Sequence, residues 1–79
     1  MIRKVIIQYC VPCQFEKHAR SLARILQGQF GLSDENIHLE PSNQVGTFEV
    51  FMDDELIFSK LEKGRLPQPD EIINIIMMH

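Results

Sequence analysis

The chain has 79 residues, of which 44% are apolar and 24% charged, and we predict that residues 1–79 form one small globular domain. This composition excludes disordered and low-complexity proteins. A domain of this size has a thin core with no room for a large substrate cavity, and we therefore expect any chemistry at the surface. The net charge of −3 argues against a nucleic-acid partner for the domain as a whole.

The first predicted elements are a strand and a helix. Residues 3–9 include a β-branched run and an aromatic residue, which is typical of a central strand. Helical periodicity starts directly after Cys10, and Gly28 or Gly31 would end the helix. Its apolar face repeats every three or four residues and consists of Phe15, Ala19, Leu22, Leu26 and Phe30.

Three further strands and a closing helix follow. Residues 36–40 alternate, which places Ile37 and Leu39 inward and His38 outward. Residues 47–52 and 55–60 predict a hairpin that turns at Asp53 and Asp54. After a loop over residues 63–68, Pro69 would open the last helix. The core face predicted for that helix consists of Ile72, Ile73, Ile76 and Met77.

This order of elements, β-α-β-β-β-α, predicts the fold class. A right-handed crossover through the first helix makes the first two strands parallel, whereas the last two form an antiparallel hairpin. Both helices must cover the sheet to bury their apolar faces. We therefore predict an α/β two-layer sandwich with a mixed four-stranded sheet.

Cys10 and Cys13 are the most informative residues of the sequence. A disulfide between them closes a loop so short that it contributes only about 2 kcal/mol to stability, which makes it a poor structural staple. A Cys-x-x-Cys in a cytosolic chain indicates a redox motif first. We expect Cys10 at the end of the strand and Cys13 in the first helical turn, where the helix dipole favours a thiolate. Pro12 is tolerated in such a first turn.

Basic residues follow the motif at helical spacing. Cys13, Lys17, Arg20 and Arg24 are spaced by four, three and four residues, which predicts that they share one face of the helix. Lys17 lies one turn below Cys13, where it would stabilise the Cys13 thiolate. The same stripe would attract an anionic partner such as glutathione or an acidic protein. The alternative is the ordinary solvated face of an amphipathic helix, supported by a pair between Glu16 and Arg20.

A zinc site is another use for two thiols. Structural zinc needs four ligands, and beyond the cysteines the chain offers only His18, His38 and His79. His18 lies about 140° around the helix from Cys13, and His38 should face solvent. We predict no metal site within a single chain, while a site shared across a dimer stays open.

Four segments carry motifs in a fixed order. They read Ile-Ile-Gln-Tyr-Cys-Val-Pro-Cys at 6–13, Val-Gly-Thr-Phe-Glu-Val at 45–50, Glu-Leu-Ile-Phe-Ser-Lys at 55–60 and Gly-Arg-Leu-Pro at 64–67. Together they resemble the selenoprotein W family, also called the Rdx family, over essentially the whole chain. The resemblance implies a thioredoxin-like fold and a redox role, with glutathione and partner proteins as contacts and no bound cofactor.

The resemblance also bears on the site. Selenium-containing members carry selenocysteine at the position of Cys13, which points to that residue as the more reactive one, whereas thioredoxin attacks with the cysteine equivalent to Cys10. Thioredoxins place a cis-proline before the third strand. Here Val45-Gly46-Thr47 takes that place, and Gly46 would let a thiol approach closely. The predicted catalytic residues are Cys10 and Cys13, and the predicted binding residues are Tyr9, Val11, Pro12, Lys17, Gly46 and Thr47.

Two functions remain open at this point. In the first, one thiolate attacks a partner and the second cysteine resolves the mixed disulfide. In the second, oxidation of the pair alters the surface from Tyr9 to Cys13 and changes the affinity for a protein partner without turnover. We expect protein thiols, protein disulfides or glutathione as partners. The apolar Ile75 and Met78 would suit either a homodimer or the docking of a partner, and the sequence leaves these two alternatives open. No apolar run approaches the ~20 residues of a membrane span, and the apolar part of the amino terminus is too short for a signal peptide, so we expect a cytoplasmic protein without a membrane partner.

Overall fold

A computed structural model describes residues 4–78, which form one four-stranded sheet and three helices. In chain order the elements are β1 (Val5–Cys10), α1 (Glu16–Phe30), β2 (Ile37–Ser42), β3 (Phe48–Met52), β4 (Glu55–Ser59), α2 (Lys60–Lys63) and α3 (Pro69–Met78). The strand order is β2-β1-β3-β4, with β1 parallel to β2 and antiparallel to β3, and β4 antiparallel to β3. The predicted mixed α/β sheet is confirmed. The predicted start of the first strand at Arg3, and His79, lie outside the described residues.

One face of the sheet is buried under α1 and α3. Side chains alternate along a strand, so every second residue of β1 and β3 points to this face. The strands contribute Val5, Ile7, Tyr9, Phe48, Val50 and Met52, and the helices contribute Ala19, Leu22, Leu26, Ile72 and Ile76. The apolar face predicted for the first helix is confirmed, and Phe15 and Phe30 pack partly buried near its two ends. The other residues of β1 and β3, Cys10 among them, point to the opposite face.

The first helix begins later than the sequence predicts. Residues 11–14 form a turn, Gln14 has a φ of 61°, and α1 begins at Glu16. A residue in the left-handed region cannot belong to a right-handed helix, so the prediction that Cys13 lies in the first helical turn is wrong. At the other end Gly31, one of the two predicted stops, takes a φ of 66° and donates its N–H to the Gln27 carbonyl.

The remaining strands follow the predicted pattern with small shifts. In β2, Ile37 and Leu39 are half-buried and His38 is exposed, as predicted, but the strand continues through Pro41 to Ser42. Proline is tolerated there because β2 is an edge strand. The hairpin turns at Asp53 and Asp54, which have φ values of 51° and 72°, the geometry of a tight two-residue turn.

The end of the chain differs from prediction at two points. Lys60 does not end a strand but begins α2, a short helix that ends at Lys63. The capping residue Gly64 donates its N–H to the Lys60 carbonyl at 2.7 Å. In α3, Ile72 and Ile76 are buried and Ile73 is half-buried, whereas Met77 is exposed, so its predicted place in the core is wrong. Each helical residue turns about 100°, and Met77 lies beyond the arc centred on the two buried isoleucines. Within residues 4–78 no helix has the length and apolarity to cross a bilayer.

Candidate functional site

Cys10 and Cys13 meet where β1 ends. Cys10 is the last residue of the strand, Cys13 lies in the following turn, and the two are joined by a disulfide with Cα atoms 5.3 Å apart. Two backbone hydrogen bonds close the turn: the Gln14 N–H donates to the Val11 carbonyl at 3.0 Å, and the Phe15 N–H donates to the Cys10 carbonyl at 3.4 Å. The pair is therefore held by a compact turn rather than by a helix.

The two cysteines differ in their access to solvent. Cys10 is 0% exposed, whereas Cys13 is only half-buried. Thiol–disulfide exchange requires that the attacking and attacked sulfurs meet, so access decides which sulfur an external partner can reach. Of the two cysteines, Cys13 is the one that is open to solvent.

Backbone N–H groups donate to both sulfurs. The Gly46 N–H donates to Cys13 Sγ at 3.3 Å, and the Cys13 N–H donates to Cys10 Sγ at 3.2 Å. Gly46 has a φ of 88°, a conformation that favours glycine, and it lies in the segment that the sequence places opposite the motif. Donors of this kind stabilise a thiolate over a thiol, so the site is built to support negative charge on sulfur.

Thr47 connects this segment to the end of β1. Its carbonyl accepts the Cys10 N–H at 2.8 Å, and its own N–H donates to the Gln44 carbonyl at 3.3 Å. The side chain is 1% exposed, and Oγ1 has no hydrogen-bond partner among the described residues. Thr47 thus lies beneath the surface of the site, although the sequence suggests a residue that contacts partners.

The other predicted site residues are spread over different surfaces. Tyr9 is buried on the helix-covered face of the sheet, opposite to Cys10, while Val11 and Pro12 are exposed in the turn. Lys17 is exposed in α1, and because Cys13 lies outside that helix, the predicted face that joins Cys13 to the basic residues does not exist. The predicted pair does form, with Arg20 Nη2 at 2.7 Å from Glu16 Oε2.

Three exposed apolar side chains lie next to the site residues, and we call them the apolar rim: Val11, Val45 and Leu61. Val11 follows Cys10, Val45 precedes Gly46 and is 73% exposed, and Leu61 Cδ2 lies 3.8 Å from where a Cβ on Gly46 would be. Sequence reasoning missed Leu61, because α2 itself was not predicted.

A metal site finds no support in the geometry that can be described. Within residues 4–78 no three His, Cys, Asp or Glu side chains come together as ligands. His18 and His38 are exposed, as predicted, and the His18 ring meets the Phe15 ring edge-on with centroids 6.3 Å apart.

Comparison with known proteins agrees with this geometry. A model of the Rdx family matches residues 4–78. Migration and invasion enhancer 1 of Bos taurus is 32% identical over 74 residues, which cover 92% of this chain and 61% of that protein. A selenoprotein W-related protein from Vibrio cholerae superimposes with a TM-score of 0.85 at 23% identity, covering 94% of this chain and 91% of the other. A Bordetella parapertussis protein gives a TM-score of 0.89 at 23% identity, covering 100% and 99%.

These matches support conclusions at three levels. The solved structures show the fold, which is the thioredoxin-like α/β fold of selenoprotein W-related proteins. The chain spans about three fifths of the length of the curated relatives it matches, at 61% and 60%. The family match and the joined Cys10–Cys13 pair together support a redox-type function. With a family model that extends over residues 4–78, the chain belongs to the Rdx family.

Proposed function

We propose that the protein performs thiol–disulfide exchange through Cys13, with Cys10 as the resolving thiol. The observation that supports this assignment is the difference in access: Cys10 is 0% exposed and Cys13 is half-buried. An incoming sulfur has to approach along the S–S axis, and the greater exposure of Cys13 supports an approach from its side of the bond. The sequence left the order of the two cysteines open, and the geometry favours Cys13 as the outer sulfur.

The Gly46 N–H supports the same assignment electrostatically. Its hydrogen bond to Cys13 Sγ at 3.3 Å would persist in the reduced protein and favour a thiolate there, because a donor stabilises the charged form. The dipole of α1 contributes less than the sequence suggests, since the helix begins at Glu16 and its field fades beyond the first turn.

The proposed exchange moves two electrons. The Cys13 thiolate attacks one sulfur of a partner disulfide, a Cys13–partner bond forms, and the partner's S–S bond breaks to release a thiolate. The Cys10 thiolate then attacks Cys13 Sγ, which forms the Cys10–Cys13 bond and releases the second partner thiolate. The two protons of the original thiols pass through solvent to the released sulfurs. Two glutathione molecules, or one protein dithiol, return the pair to the dithiol: the first thiolate attacks Cys13 Sγ and releases the Cys10 thiolate, and the second attacks the reductant's sulfur in the mixed disulfide, releases the Cys13 thiolate and leaves the reductant as its disulfide.

The apolar rim supports a polypeptide partner. Val11, Val45 and Leu61 are exposed around a sulfur that has to contact its substrate, and docking of a protein chain would remove them from water. Glutathione is small and charged and covers less of this surface. We therefore propose protein disulfides or thiols as substrates and glutathione as a reductant, in a reducing compartment such as the cytoplasm.

Covalent trapping tests the assignment directly. In Cys10→Ser the resolving thiol is absent, so we expect this variant to accumulate mixed disulfides with glutathione and with lysate proteins. The Cys13→Ser variant keeps only the buried sulfur, and we expect at least tenfold less product in the same time. Mass spectrometry before and after treatment with dithiothreitol measures both.

The control is Cys10→Ser/Cys13→Ser, which should trap nothing. Equal trapping by both single variants would show that access does not order the cysteines. If neither variant forms mixed disulfides, the protein does not perform thiol–disulfide exchange.

A second candidate is a redox-sensing binding module, and the position of the apolar rim favours it. The disulfide holds the turn that carries Val11, and the Gly46 N–H bond to Cys13 Sγ ties that turn to the segment of Val45. Reduction would free the turn from the Cys10–Cys13 bond and rearrange the rim without any turnover. A protein partner that binds one redox state at least tenfold more tightly, with no catalysed reduction of disulfides, would favour the sensor over the enzyme.

A further inference from the structure

We propose that the Thr47 hydroxyl donates a hydrogen bond to the Cys10 sulfur once the disulfide is reduced, which makes Thr47 a positioning residue for the resolving step. This inference rests on the proposed exchange function and deepens it. The observation behind it is Thr47 Oγ1, which belongs to a side chain 1% exposed and has no hydrogen-bond partner within residues 4–78. Buried hydroxyls almost always have a partner, so one without a partner requires an explanation.

Thr47 lies directly opposite Cys10. The antiparallel register pairs Tyr9 with Phe48, and the next pair continues it, with the Cys10 N–H donating to the Thr47 carbonyl at 2.8 Å. Directly opposite residues have Cβ atoms about 5 Å apart and side chains on the same face of the sheet. The Thr47 side chain therefore lies on the same face of the sheet as the Cys10 side chain, away from α1 and α3. On the other side of β1 the register pairs Cys10 with Ser42, whose Oγ already accepts the Gln44 N–H at 3.2 Å, whereas the Thr47 hydroxyl has no partner within residues 4–78.

The reduced state of Cys10 needs such a donor. Cys10 is 0% exposed, so a thiolate at this position has lost its water, and burial raises the pKa of a thiol. Among the described residues 4–78, this sulfur accepts a hydrogen bond from the Cys13 N–H at 3.2 Å. A second donor, the Thr47 hydroxyl, would offset the loss of hydration and keep Cys10 reactive at neutral pH.

The charged groups of the neighbouring strands do not take over this role. On the same face of the sheet, β2 carries Glu40 and β3 carries Glu49, which accepts a hydrogen bond from Ser59 Oγ at 3.1 Å. Carboxylates repel a thiolate. On the helices, Lys60 of α2 places its Nζ 5.7 Å from the centroid of the Phe15 ring, and Lys17 of α1 is exposed. Stabilisation of a thiolate on Cys10 thus falls to neutral donors.

The hydroxyl affects both the rate and the equilibrium of the exchange. It raises the fraction of Cys10 present as thiolate, so the attack of Cys10 on Cys13 Sγ in the mixed disulfide is faster. It also favours the dithiol over the disulfide, because the hydroxyl has no partner in the oxidised protein and gains one on reduction. Thr47 should therefore raise the reduction potential of the pair.

The test removes the hydroxyl and keeps the shape of the side chain. In a Cys13→Ser background, where Cys10 is the remaining thiol, we expect Thr47→Val to raise the pKa of Cys10 by about one unit, a tenfold loss of thiolate at a given pH. Absorbance of the thiolate near 240 nm against pH measures it. Thr47→Ser restores the hydroxyl and should return the pKa to within a few tenths of a unit.

Two further readouts separate positioning from a general structural effect. In a Cys10→Ser background, Thr47→Val should leave the pKa of Cys13 unchanged. In the chain with both cysteines, Thr47→Val should shift the equilibrium with a glutathione buffer about tenfold towards the disulfide, which corresponds to about 30 mV. Thr47→Ala removes the same hydroxyl without a branched side chain and replaces Thr47→Val if that variant does not fold.

An unchanged pKa of Cys10 would overturn the inference. So would equal shifts at both cysteines, or a Thr47→Ser variant that behaves like Thr47→Val. These results are independent of the trapping experiment with Cys10→Ser. If Cys10→Ser traps partners but Thr47→Val has no effect, only the proposed role of Thr47 is rejected. If Cys10→Ser traps nothing, the proposed exchange function is rejected, and the pKa of Cys10 still tests whether Thr47 donates to it.

Discussion

The two ends of the β1–β3 pair contain the same kinds of backbone hydrogen bond and of left-handed residue, and they differ in the groups that accept the hydrogen bonds. At the hairpin end the Asp53 N–H donates to the Lys4 carbonyl and the Lys4 N–H donates to Asp53 Oδ1, both at 2.9 Å. At the sulfur end the Cys10 N–H donates to the Thr47 carbonyl, while the Gly46 N–H donates to Cys13 Sγ. Each end contains two residues in the left-handed region of φ.

The difference lies in the acceptors. At the hairpin end the backbone donors bind oxygen, and the tight turn does no more than reverse the chain. At the sulfur end the Gly46 and Cys13 N–H groups donate to the two sulfurs of a disulfide that reagents can open, and Thr47 Oγ1 has no partner within residues 4–78. Residues in the left-handed region of φ carry conformational strain at both ends. Only at the sulfur end do these residues lie next to a group, the disulfide, that can be reduced and reoxidised. The comparison predicts that reduction of the disulfide and substitutions at the sulfur end affect that end and leave the hairpin end unchanged.

Reduction of the disulfide should have the largest effect. Opening a loop this short removes about 2 kcal/mol from the free energy of unfolding, because the unfolded chain regains conformational entropy. Amide hydrogen exchange should accelerate at residues 11–15 and 45–47 and stay constant at the hairpin end. Urea denaturation and exchange with and without dithiothreitol measure both quantities.

The double variant Cys10→Ser/Cys13→Ser provides the control for reduction, since dithiothreitol should leave its stability unchanged. Exchange that accelerates equally at both ends would show that the disulfide stabilises the whole sheet. In that case the sulfur end is not an independently mobile unit.

Substitution of Gly46 should have the next largest effect. Gly46 has a φ of 88°, and a Cβ there would meet only Leu61 Cδ2 at 3.8 Å, an ordinary contact. The expected loss of about 1–2 kcal/mol in Gly46→Ala therefore comes from backbone conformation rather than from a clash. Displacement of the Gly46 N–H should also slow alkylation of Cys13 in the Cys10→Ser background. Chemical denaturation and iodoacetamide kinetics measure the two effects.

Matched variants elsewhere give the opposite sign. Gly28 lies inside α1 with nothing within 4 Å of a Cβ, so Gly28→Ala should stabilise the protein by roughly 0.5–1 kcal/mol. Asp54 has a φ of 72°, and Asp54→Gly should relieve strain in the hairpin without changing the reactivity of Cys13. A Gly46→Ala variant as stable as the wild type would contradict the assigned strain.

The smallest effect is expected at an ion pair that belongs to neither end. Arg65 donates two hydrogen bonds to Glu71, at 2.7 Å each, and these bonds lower the pKa of the Glu71 carboxyl, with the charge of Arg65 adding to them. A lowered folded pKa means that the stabilisation is present above the ordinary glutamate range and is lost as the pH falls through the folded pKa. Glu71→Gln should therefore be slightly less stable than the wild type at neutral pH.

Denaturation measured between neutral pH and about pH 3 tests this sign, because the difference between wild type and Glu71→Gln should shrink on acidification. The pair is exposed, so solvent and salt weaken it. A difference that grows in acid would show that another carboxylate governs the pH dependence.

Much of the fold could be predicted from the sequence because periodicity and turn residues agree. The apolar spacing from Phe15 to Phe30 and the alternation around His38 gave elements of the right type in the right order. Boundaries were less accurate where one residue departs from the local pattern. Nothing in Val11-Pro12-Cys13-Gln14 indicates a left-handed Gln14, and that single conformation moves the start of α1 to Glu16.

The candidate site was predictable in its residues and less so in its geometry. The spacing of the cysteines identified the pair, and the glycine before β3 identified the segment that faces it. Cys10 is buried and Cys13 is half-exposed because of the point at which the turn leaves the sheet. The local sequence does not encode that point.

The turn between the cysteines also affects how the protein can be modified. Val11 and Pro12 are solvent-exposed, lie outside the helices and strands, and do not belong to the core. Substitutions at these two positions therefore leave the sheet and its helices intact. Variants selected at positions 11 and 12 should share this fold and differ in the reduction potential of the Cys10–Cys13 pair.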